Sequence, residues 1–245
     1  MRVPLFGILS GALFMLPLAP SATPAPPAPT APVDRVATEI AGSSFVHEIQ
    51  KGDTLTSLAA RHGLDAAVLA RRNGLAPRTS LVSRIGERLI VDNRHIVWPV
   101  DPASGTMLIV NVPQRMLFRV VDGRAASAYP VAVGRTTWPT PLGPFTVIEK
   151  EVDPTWDVPK SIQEEMRREG KPVVTSIPPC PANPLGRHWL RLSHPGVGVH
   201  GTNVPTSIYG FTTHGCIRLH PDDVESLFEA VQVGDAGAVV YGTGS

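Results

Sequence analysis

The chain is poor in cysteine: Cys180 and Cys216 are the only two among 245 residues. That count excludes a disulfide-built scaffold and leaves room for one bridge or none. Net charge is scarce as well. Twenty-two Lys and Arg against 21 Asp and Glu give +1, which excludes a strongly basic nucleic-acid binder. Hydrophobic residues at 42% argue both against a chain disordered throughout and against one that spans a membrane many times. His188, His194, His200, His214 and His220 lack the short paired spacings of structural zinc sites, so zinc remains the minor reading and no metal or cofactor is expected.

Proline is what the sequence has in excess: 26 residues, about twice the ordinary share. Six of them, Pro20, Pro24, Pro26, Pro27, Pro29 and Pro32, crowd into thirteen residues. Ahead of them, Arg2 leads into an apolar run from Leu5 to Leu18, followed by the small residues Ala19, Ser21 and Ala22. A positive start, a short apolar run and a small-residue exit predict a secretory signal peptide over 1–22. Pro17 and the shortness of the run speak against a stable membrane anchor, and no cysteine near the exit would carry a lipid. Residues 23–44 predict an extended Pro/Ala-rich spacer. The product is expected to be exported to the periplasm or cell envelope.

Residues 45–92 predict a small module. Phe45 to Ile49 alternates as a short strand does, with Gly52 for the turn and Asp53 or Thr54 as helix cap. Leu55, Leu58, Ala59 and His62 share one helical face, and Gly63 ends that helix. Asp65 caps a second helix with Val68 and Leu69 turned inward, Asn73-Gly74 stops it, and Arg88 to Val91 closes the unit as a strand. This βααβ order, with Gln50-Lys51-Gly52-Asp53-Thr54-Leu55, Asn73-Gly74-Leu75 and Ile85-Gly86-Glu87-Arg88-Leu89, resembles a LysM module. The resemblance implies a shallow groove for N-acetylglucosamine-containing glycan strands, lined by Gly52, Asp53, Thr54, Asn73, Gly74 and Leu75. Seven Lys or Arg against four acids between residues 47 and 91 give this module +3, a charge suited to steering toward an anionic wall.

After a 93–104 linker carrying Pro99 and Pro102, the sequence reads as many short strands with turn signals, such as Met107–Val112, Met116–Val121 and Ala128–Val133, with Asp122-Gly123 as a tight turn. One helix is clear: Pro221 at its first position, then Val224, Leu227, Phe228 and Val231 on one face; Ser161–Arg168 predicts a shorter one. A mainly β domain over 105–242 follows. Its chemistry gathers at His200-Gly201-Thr202-Asn203 and Thr213-His214-Gly215-Cys216-Ile217-Arg218-Leu219. A thiolate attacks a carbonyl far better than a thiol does, so a catalytic cysteine needs a histidine or positive field beside it. Flanking glycines let the backbone expose the sulfur and aim amides at a developing oxyanion. A buried structural thiol, or a Cys180–Cys216 disulfide, is the rival reading.

These two motifs, with His200 sixteen residues before Cys216, resemble the signature of the YkuD-type L,D-transpeptidases. Gly134-Arg135, Thr140-Pro141-Leu142-Gly143-Pro144-Phe145 and Asn183-Pro184-Leu185-Gly186 support the likeness. Thr213 stands where Ser is commoner, and Cys180 where Gly is more usual. The resemblance implies a β-sandwich-like domain with the cysteine at the end of a strand, and acyl transfer on peptidoglycan stem peptides. Cys216 would form a thioester with a tetrapeptide stem, releasing D-alanine; an amine of a second stem or of an envelope protein would resolve it. His200 would be the base, oriented by the carbonyl of Gly201, and the amides of His214, Gly215 and Cys216 the oxyanion hole. Thr202, Asn203, Thr213 and Arg218 would meet substrate, Arg218 either by gripping a stem carboxylate or by holding its loop together. Carbapenems are the implied covalent inhibitors. Hydrolysis of the same bonds, and a catalytically idle wall-binding protein, remain alternatives.

Overall fold

The computed structural model describes residues 39–101 and 104–242. The expected signal peptide and the Pro-rich part of the spacer lie outside the described residues, within which no helix is long and apolar enough to cross a membrane.

The first unit runs β1 (Ile40–Ala41), β2 (Ser44–Glu48), α1 (Leu55–His62), α2 (Ala66–Arg72), β3 (Arg88–Asp92) and β4 (His95–Ile96). Strands β2 and β3 pair antiparallel with Val46 opposite Ile90. Thr54 and Ser57 form a reciprocal capping box at the start of α1, the Thr54 hydroxyl accepting from the Ser57 amide at 3.0 Å. Asp65 caps α2, accepting from the Ala67 amide at 2.8 Å. Ile49, Leu55, Leu58, Leu69, Leu81, Leu89 and Val91 make the core. Val68, expected to point inward, is 45% exposed. Helix α2 has only seven residues, and Leu69 and Ala70 already fill its inner face.

Two expected connectors turn out to be structured. Within the expected spacer, β1 pairs antiparallel with β4 of the expected linker, Ile40 opposite Ile96, and the Asn93 side chain accepts from the Ser43 amide at 2.8 Å. Val97, Trp98 and Val100 then pack on Met107, Ile109, Phe118 and Val120 of the following domain. Burying a side chain of that size stabilises by about 1.5–3 kcal/mol. The segment is therefore fastened to the domain it introduces.

The second unit contains β5 (Thr106–Asn111), β6 (Met116–Val121), β7 (Arg124–Pro130), β8 (Val133–Gly134), β9 (Gly143–Val152), β10 (Trp156–Asp157), α3 (Lys160–Arg168), β11 (Ser176–Ile177), β12 (His188–Leu192), β13 (Gly198–His200), β14 (Phe211–Thr213), β15 (Ile217–Arg218), α4 (Pro221–Ala230) and β16 (Ala236–Val240). Eight of these strands form one mixed sheet in the order β15-β13-β12-β9-β16-β5-β6-β7. The sheet curls until its ends meet. Ala132, just past β7, exchanges both backbone hydrogen bonds with Arg218 of β15, at 2.8 and 2.9 Å. That bridge breaks the continuous strand expected over 128–133. The inner face is packed by Leu108, Leu117, Val199 and Ile217 under Val224 and Leu227 of α4.

The small unit docks on this closure. Ala60 of α1 packs with Ala132 and Ile208, and its carbonyl accepts from His220 Nε2 at 3.3 Å. Arg61 pairs with Asp223 at 3.4 Å. Gly63 closes α1 at φ 69°, and a Cβ there would lie 2.9 Å from Met116 Sδ and 3.2 Å from His95 Nε2. Gly63→Ala is therefore expected to lower the unfolding free energy by at least the 1–2 kcal/mol, roughly, of a left-handed non-glycine residue, as read from urea unfolding of the full chain. An unchanged midpoint would show that Gly63 does not hold this left-handed conformation against Met116 and His95.

Candidate active site

Strands β13 and β15 run parallel, with Val199 opposite Ile217 and His200 opposite Arg218. Side chains alternate along strands, so Cys216, directly before β15, shares a face with Arg218 and His200, two positions along the ladder from the histidine. The cysteine thus stands at the start of its strand. Two features build the turn that presents it. Gly215 adopts φ 105°, a region unfavourable for other residues. The Thr213 hydroxyl donates to the Cys216 carbonyl at 2.6 Å and accepts from the Gly215 amide at 3.2 Å. Thr213, expected at the substrate, is buried and holds the turn instead. The Gly215 amide, expected in the oxyanion hole, is engaged by that hydroxyl.

His200 is 3% exposed, and its Nδ1–H donates to the Gly201 carbonyl at 2.7 Å. This leaves Nε2 as the ring nitrogen free for proton exchange. Burial, helped by the Arg218 guanidinium, holds the imidazole down at about 3. Burial pushes the half-buried Cys216 thiol up, and its Sγ–H donates weakly to the Gly196 carbonyl at 3.7 Å. Burial thus favours the uncharged form of both groups. Arg218 donates through Nη1 to the Ser207 hydroxyl at 3.2 Å, so in this structure it holds its loop together.

The remaining expected residues divide. Thr202 is buried, its hydroxyl accepting from the Val204 amide at 2.9 Å, whereas Asn203 is exposed and donates to the Ala182 carbonyl at 3.1 Å. Both line a cavity of about 530 Å³ with Gly201, Cys180, Arg187 and Glu225; neither Cys216 nor His200 is among its walls. Both thiols are free, with Cys180 exposed. In the small unit, Gly52, Thr54 and Gly74 are exposed, while Leu75 packs partly into the core. Asp53 accepts from the Gln50 amide at 2.8 Å and from His47 at 2.7 Å. Asn73 is used structurally, accepting from the Ile90 amide at 2.7 Å and donating to the Ile90 carbonyl at 3.0 Å.

Sequence reading passed over Glu165 and gave Arg135 and Asn183 no role of their own. Glu165 of α3 accepts from His214 Nε2 at 2.5 Å and forms an ion pair with Arg135, whose Nη2 lies 2.9 Å from the same ring nitrogen. These two partners, His214 foremost, hold the Glu165 carboxyl below its ordinary range. Arg135 stood in a supporting motif without a role. Asn183, 1% exposed, donates to the carbonyls of Pro154 and Ile177 and accepts from Leu185, tying both ends of the segment that carries α3. Nothing local marks Glu165, because its partners lie 30 and 49 residues away.

A histidine fixed by a backbone carbonyl and a cysteine presented by a glycine turn thus stand on neighbouring strands. Residues 105–240 match the family model of the YkuD L,D-transpeptidase catalytic domain, and residues 47–92 that of the LysM domain. The chain belongs to the YkuD family, with a LysM domain ahead of the catalytic one. It is 28% identical to the putative L,D-transpeptidase YkuD of Bacillus subtilis over 77% of this chain and 94% of that protein. It is also 28% identical to the probable L,D-transpeptidase YcfS of Escherichia coli, over 80% of this chain but 62% of that protein's length. An L,D-transpeptidase structure from Mycobacterium smegmatis is similar at 27% identity, over 56% of this chain and 58% of that one, with a TM-score of 0.43.

An uncharged resting pair has a measurable signature. A raised thiol loses its proton only above the ordinary cysteine value, and a ring held at about 3 stays neutral from pH 5 upward. Alkylation of Cys216 by iodoacetamide is therefore expected to climb steadily through pH 9, with no plateau reached near pH 6–7. Such a plateau would mean a resting thiolate–imidazolium pair.

Proposed function

We propose that the protein is a cysteine-dependent cell-wall L,D-transpeptidase. Cys216 on the same sheet face as His200, with that ring fixed by Gly201, is the observation that carries the reading. Sγ attacks the carbonyl of the third residue of a tetrapeptide stem while its proton passes to His200 Nε2. A ring held so low keeps a proton only beside compensating negative charge, which the developing oxyanion supplies. The imidazolium then protonates the departing D-alanine amine, leaving a thioester on Cys216. An amine of a second stem, or of an envelope protein, attacks that thioester and regenerates the thiol. The amides of His214 and Cys216 are the natural oxyanion donors, since that of Gly215 is engaged. The LysM domain supports a cell-wall location, its groove formed by Gly52, Thr54, Gly74 and Leu75. Export through residues 1–22 belongs to the same reading.

Purified tetrapeptide muropeptides test it. Cross-linked dimers from the wild type mean transfer; tripeptides alone would mean hydrolysis, and no change an idle wall-binding protein. Cys216→Ala is expected to abolish turnover with the fold intact by circular dichroism. His200→Asn should cost about 100-fold or more, the usual worth of a general base. Substantial turnover by Cys216→Ala would overturn the assignment.

A carbapenem is expected to add its mass to Cys216 in the wild type and not in Cys216→Ala, as intact-protein mass spectrometry would read directly. An adduct in the mutant would place the nucleophile elsewhere.

A further inference from the structure

Helix α3 has no fully buried residue, yet its Glu165 side chain reaches the turn that carries Cys216. Its polar fastening there is a single carboxylate. Glu165 reaches His214, two residues before Cys216, and Arg135, which the backbone holds beside the same turn through the Arg135 amide and the Thr213 carbonyl at 3.0 Å. Trp138 packs edge-on against the His214 ring at 5.3 Å and fixes its plane. A guanidinium and an imidazole donor converging on one carboxylate make an anion site. In the free protein that site is filled from within the chain.

Resting on the transpeptidase reading, we propose that Arg135 and His214 bind the terminal carboxylate of the donor stem peptide, next to the bond that Cys216 breaks, and that Glu165 occupies this site until substrate displaces it. The site selects donors that end at the residue to be released, because a carboxamide or a further residue there presents no charge to Arg135. Arg218 is turned to its own loop in this structure. Its Nη1 donates to the Ser207 hydroxyl at 3.2 Å. The cost of the arrangement is competition: binding substrate means releasing α3 from the turn. The segment remains tethered at Asn183, so the release is local.

The competition separates this role from that of a plain surface clasp. In the full chain carrying Cys216→Ala, binding of a synthetic tetrapeptide acid and of its C-terminal carboxamide would be measured by calorimetry. Arg135→Gln is expected to weaken the acid about tenfold, the worth of one charge-assisted hydrogen bond, and to leave the amide nearly unchanged. Glu165→Gln is expected to tighten the acid severalfold and the amide little. Arg135→Lys should recover part of the acid's affinity. Amide hydrogen exchange across residues 160–168 should quicken when the acid binds and not when the amide does. The proposal is overturned if Glu165→Gln weakens both peptides alike, since the carboxylate would then only fasten α3. An unchanged acid-to-amide ratio in Arg135→Gln overturns it equally. Thioester formation on wild-type Cys216, followed by mass, is read in parallel. Its absence with the binding ratios as expected would remove the transpeptidase reading and leave the carboxylate site standing.

Discussion

The catalytic face depends on the meeting of the sheet's two ends. Ala132 and Arg218 exchange two backbone hydrogen bonds, and the Leu219 amide donates to the His200 carbonyl at 2.9 Å. Between them these bonds clamp a two-residue strand, β15, that is too short to hold its own register. Cys216 is the residue just before that strand, and His200 ends the one beside it. Without the closure, nothing in the local sequence would keep the sulfur and the imidazole in step. The same closure gives α1 of the LysM domain something to rest on, since Ala60 packs against Ala132 itself.

Burial sets the electrostatics around that frame. His200 is covered by Trp189, whose ring lies 5.8 Å away, and is kept neutral by lack of water. Glu165 shows the opposite case: a carboxylate left charged by two donors at the rim. The centre therefore combines a buried imidazole with an ionic edge a few residues away. On the proposed reading, such a division would let the edge sort substrates by charge while the centre responds only once a carbonyl has arrived.

Much of this was legible in the chain because it is local. The caps at Thr54 and Asp65, the turn at Asp122-Gly123, helix α4 and the two histidine–glycine motifs are set by neighbours within a few residues, and spacing exposes them. Family likeness then supplied the pairing of His200 with Cys216. What stayed hidden is long-range. The strand pairing of Ile40 with Ile96, the packing of Val97 and Val100, the meeting of Ala132 with Arg218 and the reach of Glu165 join segments with no shared periodicity. Thr213 is instructive. Its hydroxyl sits in the signature where a substrate contact was expected, and only the fold shows it spent on the backbone of its own turn.

The docking of α1 makes the two domains a caliper. With glycan seated in the LysM groove as proposed, the offset from groove to thiol is a fixed length and a fixed angle, not a cloud of positions swept by a tether. Stem peptides that left the strand at different angles would then meet the thiol unequally. A rigid offset can serve only stems that point at the matching angle, whereas a loose one would serve any within reach. The small residues Ala60 and Gly63, by permitting that close contact, would then decide which stems along a strand the cysteine meets.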